Sequence, residues 1–112
     1  MKAHYAPRTP LSLLPFAALE PLLAAHPRDA GKKLALVARV SSAGRWAGAP
    51  NVHFIAAPDD PQSYARELYG LLRALDCADV ERILIETLPV SAEWSAVNDR
   101  LGRAAAAFEE QE

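Results

Sequence analysis

A chain of 112 residues is the size of one domain, and its hydrophobic fraction of 51% supports one modest core, although much of that fraction is alanine, which buries little area per residue. A net charge of −2 offers no broad basic surface for a nucleic-acid backbone. One cysteine, Cys77, excludes an internal disulfide and fits a cytoplasmic location, and no apolar run reaches the roughly 18 residues that a membrane span needs.

The first ten residues, MKAHYAPRTP, read as extended coil. Pro7 and Pro10 fix φ and push the residue before each toward extended geometry. LSLL (11–14) predicts a short strand. FAALEPLLAAH (16–26) predicts a helix whose regular part starts near Ala18, placing Pro21 in the first turn, where its missing N–H costs nothing. Pro15, Glu20 and Pro21 interrupt this apolar segment, and no clear basic region adjoins it, so it does not read as a signal peptide.

KLALVARV (33–40) has the continuous aliphatic pattern of a buried strand. SSAGRWAGAP (41–50) reads as a flexible turn, and NVHFIAA (51–57) as the next strand. PDDP supplies an N-cap at Asp60 with Pro61 at the first helical position. Tyr64, Leu68, Leu71, Leu72 and Leu75 then follow on one helical face. DCADVE reads as a loop and RILIETL (82–88) as a strand. Ser91 is expected to cap a last helix with an inward stripe of Trp94, Val97, Leu101, Ala104, Ala105 and Phe108. The acidic end EEQE is expected to fray.

The predicted order is β-α-β-β-α-β-α. It implies a small three-layer, Rossmann-like α/β domain with a mostly parallel four-stranded sheet and about three helices on both its faces. No helix is predicted between the second and third strands, so the orientation of that pair stays open.

Such domains bind ligands at the carboxyl ends of their strands. SSAGRW lies at one such end, but it has a single glycine, no G-x-G-x-x-G pattern and no Walker lysine. Asp59 and Asp60 form a carboxylate pair that helix capping explains better than acid–base chemistry. Glu86 is better placed for catalysis, although a buried structural glutamate is the simpler reading. Cys77 has no nearby histidine and is expected to pack as a small hydrophobe. Trp46 is expected to be exposed as a contact surface, Trp94 to be core, and His53 to pack within its strand. His4, His26 and His53 are scattered, so no metal site is expected. Asp99, Arg100 and Arg103 read as a solvated helix face. Nothing assembles nucleophile, base and oxyanion donor, and the residues alone suggest a non-catalytic module.

The opening stretch resembles the interdomain linker of the long, two-domain form of threonylcarbamoyl-AMP synthase. In that family a YrdC-like catalytic domain precedes a linker of the type S-P-G-M-(K/L)-x-x-H-Y-A-P and a small α/β domain. Met1, His4, Tyr5, Ala6 and Pro7 match the linker pattern, with the spacing from Met1 to His4 one residue shorter than in some members. The segment DDPQSYARELYGLLRALDCADVERILIETLP is similar to the family's D-x-x-x-Y-A-R-x-L-Y-x-x-L-R-x-L-D helix and the strand after it. EWSAVNDRLGRAA is similar to its closing helix. The likeness therefore covers nearly the whole chain.

The resemblance implies a division into residues 1–10, a linker segment, and 11–112, a C-terminal α/β domain. It implies a parent enzyme that condenses L-threonine, bicarbonate and ATP into threonylcarbamoyl-AMP and pyrophosphate, for tRNA modification, using ATP and a magnesium ion. The catalytic residues belong to the YrdC-like domain of the same polypeptide. This chain alone would then hold no cofactor and catalyse nothing. By the same resemblance His4 and Tyr5 help to close the nucleotide pocket, while Lys2, Ala6 and Pro7 contact the catalytic domain. No direct nucleic-acid or membrane partner is implied. The alternative is a free-standing α/β module that binds a small ligand at its strand ends or docks a protein.

Overall fold

The computed structural model describes residues 9–39 and 46–110, with side chains through residue 106. Four strands, β1 (Leu11–Leu14), β2 (Leu34–Arg39), β3 (Val52–Ala57) and β4 (Arg82–Glu86), form one sheet in the order β1-β4-β2-β3. Every pairing is parallel, with Leu11 opposite Ile83, Leu34 opposite Arg82 and Leu34 opposite Val52. Among the described residues three helices accompany the sheet: α1 (Phe16–Ala25), α2 (Pro61–Asp76) and α3 (Ser95–Glu110), the last entered through a 3-10 turn at Ala92–Trp94. The element order is the predicted β-α-β-β-α-β-α.

The layers follow from strand periodicity and crossover handedness. Alternate residues face opposite sides of a strand, and β2 is apolar on both. Ala35, Val37, Ile83 and Ile85 pack with Tyr64, Leu68, Leu72 and Leu75 of α2 and with Val97 and Leu101 of α3. Leu34, Leu36, Ala38 and Leu84 pack on the other side with Leu19 and Leu23 of α1. The step from β1 to β2 crosses the sheet in one direction, and the step from β3 to β4 in the other. With right-handed crossovers the two connecting helices must lie on opposite faces, as α1 and α2 do.

The open orientation of β2 and β3 resolves as parallel. The twelve residues between Arg39 and Val52 are enough chain for a crossover. Trp46 and Ala49 from this link pack against the α1 side of the core, so Trp46 is half-buried rather than an exposed contact surface. Helix α1 starts at Phe16, two residues before the expected point, which puts Pro21 in its second turn. There it removes the hydrogen bond to the Ala17 carbonyl; both residues are exposed, where water is at hand. Ser91 precedes the last helical segment as expected, but its side chain makes no capping hydrogen bond.

Helix α2 is set as its sequence dictates. The Asp60 carboxylate accepts the Ser63 main-chain N–H at 2.9 Å, and Pro61 opens the first turn. These hydrogen bonds hold the Asp60 carboxyl below the usual carboxylate range. Tyr64 and Trp94 meet edge to face, with ring centroids 5.8 Å apart and planes at 80°, which locks α2 to the start of α3. Among the described residues, no helix is long and apolar enough to cross a membrane.

Candidate functional site at the carboxyl edge of the sheet

Because all four strands are parallel, their carboxyl ends share one edge. After β4 the chain passes to α3 on one face, whereas after β2 it returns over the α1 face. The gap between these two neighbouring strands is therefore the topological switch point, where open α/β sheets place their ligands.

The strands part there. The β2–β4 ladder ends at Val37 opposite Ile85, while the β2–β3 ladder continues to Arg39 opposite Ala57. Beyond the last paired residue a side chain replaces the β4 backbone: Glu86 Oε1 accepts the Arg39 main-chain N–H at 3.1 Å. The same oxygen lies 3.7 Å from Arg39 Nε, an ion pair too long to be a hydrogen bond. The Glu86 side chain is 9% exposed and that of Arg39 25%. Arg39 Nε is buried without a hydrogen-bond partner among the described residues.

Tyr64, from the first turn of α2, completes the group. It is 3% exposed. Burial, and after it the negative charge of Glu86, push its phenol up to about 12, with Arg39 acting in the opposite direction. Tyr64 also lines a small hollow together with Ile55, Ala57, Pro58, Glu67 and Leu71. Charged groups at the ends of β2 and β4 thus act on a buried phenol from α2 that borders this hollow.

Sequence reasoning reached only part of this arrangement. Glu86 is buried and bonded to backbone, in line with its structural reading. Arg39 was hidden inside a strand pattern and Tyr64 inside a helix stripe. The available signal was a charged residue ending each of two apolar strands, VAR and ILIE. Residues 41–45 of SSAGRW lie outside the described residues, as does Phe108's side chain. Cys77 is exposed rather than packed, because it falls just past the end of α2. His53 is also exposed, on edge strand β3, beside a hollow lined by Lys32, Lys33 and Asp79. Of the helix face expected to be solvated, Asp99 and Arg103 are exposed and ion-paired at 2.7 Å, and Arg100 is half-buried. No group of three or more His, Cys, Asp or Glu side chains that could hold a metal occurs among the described residues.

The linker residues Lys2, His4, Tyr5, Ala6 and Pro7 also lie outside the described residues. The Thr9 main-chain N–H donates to Asp76 Oδ1 at 2.8 Å. One residue later, just before β1, the Pro10 carbonyl accepts the Ile83 N–H at 2.8 Å. The anchor of the N-terminal segment is thus at the amino edge, a strand length of roughly 17 Å from Arg39 and Glu86.

The family model for the C-terminal domain of threonylcarbamoyl-AMP synthase matches residues 1–106. The chain belongs to this family. The match spans the folded domain and the H-Y-A-P segment together. Searches of curated proteins and of solved structures each returned no match.

Proposed function

We propose that this chain is the non-catalytic accessory domain of an L-threonylcarbamoyladenylate synthase, acting in tRNA modification in the cytoplasm. Its residues 1–10 serve as a strap that closes over the pocket of a YrdC-like catalytic domain of the same polypeptide. The observation that carries the reading is the family match over residues 1–106, which takes in the strap as well as the domain.

The physical role of the domain is to hold one end of the strap. Thr9 is bonded to Asp76 and Pro10 to Ile83, so whatever precedes Thr9 starts from a fixed point. Pro7 and Pro10 restrict the segment and lower the entropy cost of laying it on a partner. Tyr5 brings a ring for packing and a hydroxyl for hydrogen bonding, and His4 brings a second polar ring. A closed strap excludes water from a labile mixed anhydride of carbamate and phosphate.

ATP, L-threonine, bicarbonate and the magnesium ion are assigned to the catalytic domain. The described residues of this chain offer no metal cluster. Lys2, Ala6 and Pro7 contact that domain alongside His4 and Tyr5.

The test is substitution of His4→Ala and Tyr5→Ala in a protein that joins this chain to its catalytic domain. Pyrophosphate release from ATP, threonine and bicarbonate should fall by ~10-fold or more, the scale of a lost positioning contact, with unchanged melting of this domain. Unchanged release in both variants would sink the strap's role.

A further inference from the structure

The sheet ends on one side at β3, and among the described residues no strand pairs with its outer edge. Edge strands are usually guarded against pairing with another chain by charge, proline or a bulge. β3 has none of these guards. VHFIAA contains no Lys, Arg, Asp, Glu or Pro over its six residues, and its ladder with β2 runs without interruption. The other edge strand, β1, has four residues and follows Pro10. Register fixes which main-chain groups β3 leaves free. The Leu34 N–H donates to the Asn51 carbonyl, so in this parallel ladder the main-chain groups of residues 51, 53, 55 and 57 face β2. Those of Val52, Phe54 and Ala56 point outward. The Val52 N–H is already taken by the Ala49 carbonyl at 3.3 Å. The N–H groups of Phe54 and Ala56 and the carbonyls of all three residues remain for a partner.

A second copy of the same strand satisfies this set when it runs antiparallel across a two-fold axis at Phe54. Phe54 then exchanges both hydrogen bonds with Phe54 of the second copy, and each Ala56 N–H donates to the Val52 carbonyl opposite. Both free donors of each copy are used, and the occupied Val52 N–H is not called on. Phe54 is half-buried on the α1 face, where this register sets its ring beside that of the second copy as an aromatic cross-strand pair. Charge agrees with the antiparallel sense. The amino end of this edge carries Lys33 and His53, beside the Lys32–Asp79 ion pair. The carboxyl end carries Asp59, just past β3, and Glu67, which borders the edge from α2. Antiparallel pairing lays each basic end against the acidic end of the other copy, whereas a parallel partner would set like charges together. We infer that the chain forms a two-fold dimer through β3, joining the two four-stranded sheets edge to edge. β3 lies across the sheet from β1, so both Thr9 anchors stay clear of the joint.

The experiment is sedimentation equilibrium of this 112-residue chain over a range of protein concentrations. A reversible monomer–dimer equilibrium is expected, with the dimer dominant at ~100 μM. No larger species should form, because a two-fold joint uses up the β3 edge of both copies. Ala56→Pro removes an outward N–H and leaves the bonds to β2 in place. It should weaken the dimer by ~10-fold or more while the circular dichroism stays that of the wild type. Asp59→Lys should weaken it by roughly 3-fold to 10-fold, and adding Lys33→Glu to the same chain should restore most of the loss. A chain still mainly monomeric at ~100 μM overturns the inference. So does an open series of oligomers, or a dimer that a folded Ala56→Pro variant leaves at wild-type affinity. Should Ala56→Pro fail to fold, the charge pair decides, and no recovery in the double variant contradicts antiparallel pairing. No catalytic readout enters, so failure here is separable from failure of the strap reading.

Discussion

The main-chain N–H of Thr9 donates to the Asp76 carboxylate at 2.8 Å, across 67 positions of sequence. This contact ties the approach to β1 to the last turn of α2, at the edge from which the N-terminal segment departs. Removing the acceptor leaves a partly buried N–H unpaired. Asp76→Ala is therefore expected to cost about 1–3 kcal/mol in urea unfolding, and Asp76→Asn, which keeps an oxygen acceptor, less than half of that. Equal losses in the two variants would show that the charge, rather than the bond to Thr9, is what matters.

Tyr64 makes stability depend on alkaline pH with a definite sign. Its phenol is pushed up to about 12 in the folded chain from an ordinary 10.0. The folded state thus keeps a proton that the unfolded state gives up. The resulting stability is fully present below pH 10 and is lost as pH rises toward 12. Two pH units at this largely buried group correspond to about 2–3 kcal/mol. Tyr64→Phe should remove this component of the alkaline loss, measured as unfolding free energy between pH 9 and 12 against the wild type. An identical alkaline decline in the variant would mean that other groups cause it.

The architecture was largely legible because the strands and helices are strongly patterned. β2 and β4 are apolar runs, and α2 carries its buried residues at helical spacing behind an Asp-Pro start. The orientation of β2 and β3 was not legible, since a twelve-residue link permits either hairpin or crossover, and pairing across the sheet decides between them. Pro21 misplaced the start of α1 by two residues, because tertiary burial of Leu19 and Leu23 outweighs one lost helical bond. The carboxyl-edge group was legible only at Glu86. Arg39 and Tyr64 join it through the parting of β2 from β4, a feature of sheet register that no local pattern records.

Cys77 lies exposed just after α2, so the folded chain carries an accessible thiol. One equivalent should react with a disulfide reagent in native buffer as fast as in denaturant, within about 10-fold, since the thiol is open to solvent in both states. Protection by several orders of magnitude would show that the end of α2 is covered.

Asp79 holds φ at 56°, in the left-handed region where side chains crowd the backbone. Its exposed ion pair with Lys32, at 3.2 Å, contributes little by comparison. Asp79→Gly should therefore leave stability within about 0.5 kcal/mol of wild type, and Asp79→Val should cost about 1–2 kcal/mol, both read by thermal unfolding. Two variants of equal stability would contradict a backbone constraint at this turn.

The most direct test of the central claim uses pyrophosphate release from ATP, L-threonine and bicarbonate. A YrdC-like catalytic domain lacking the strap is assayed alone, with residues 1–112, and with a shortened chain beginning at Thr9. The account predicts no release by this chain alone, a gain when residues 1–112 are added, and no gain from the chain without its strap. Release by residues 1–112 alone, or an equal gain from both chains, would contradict it.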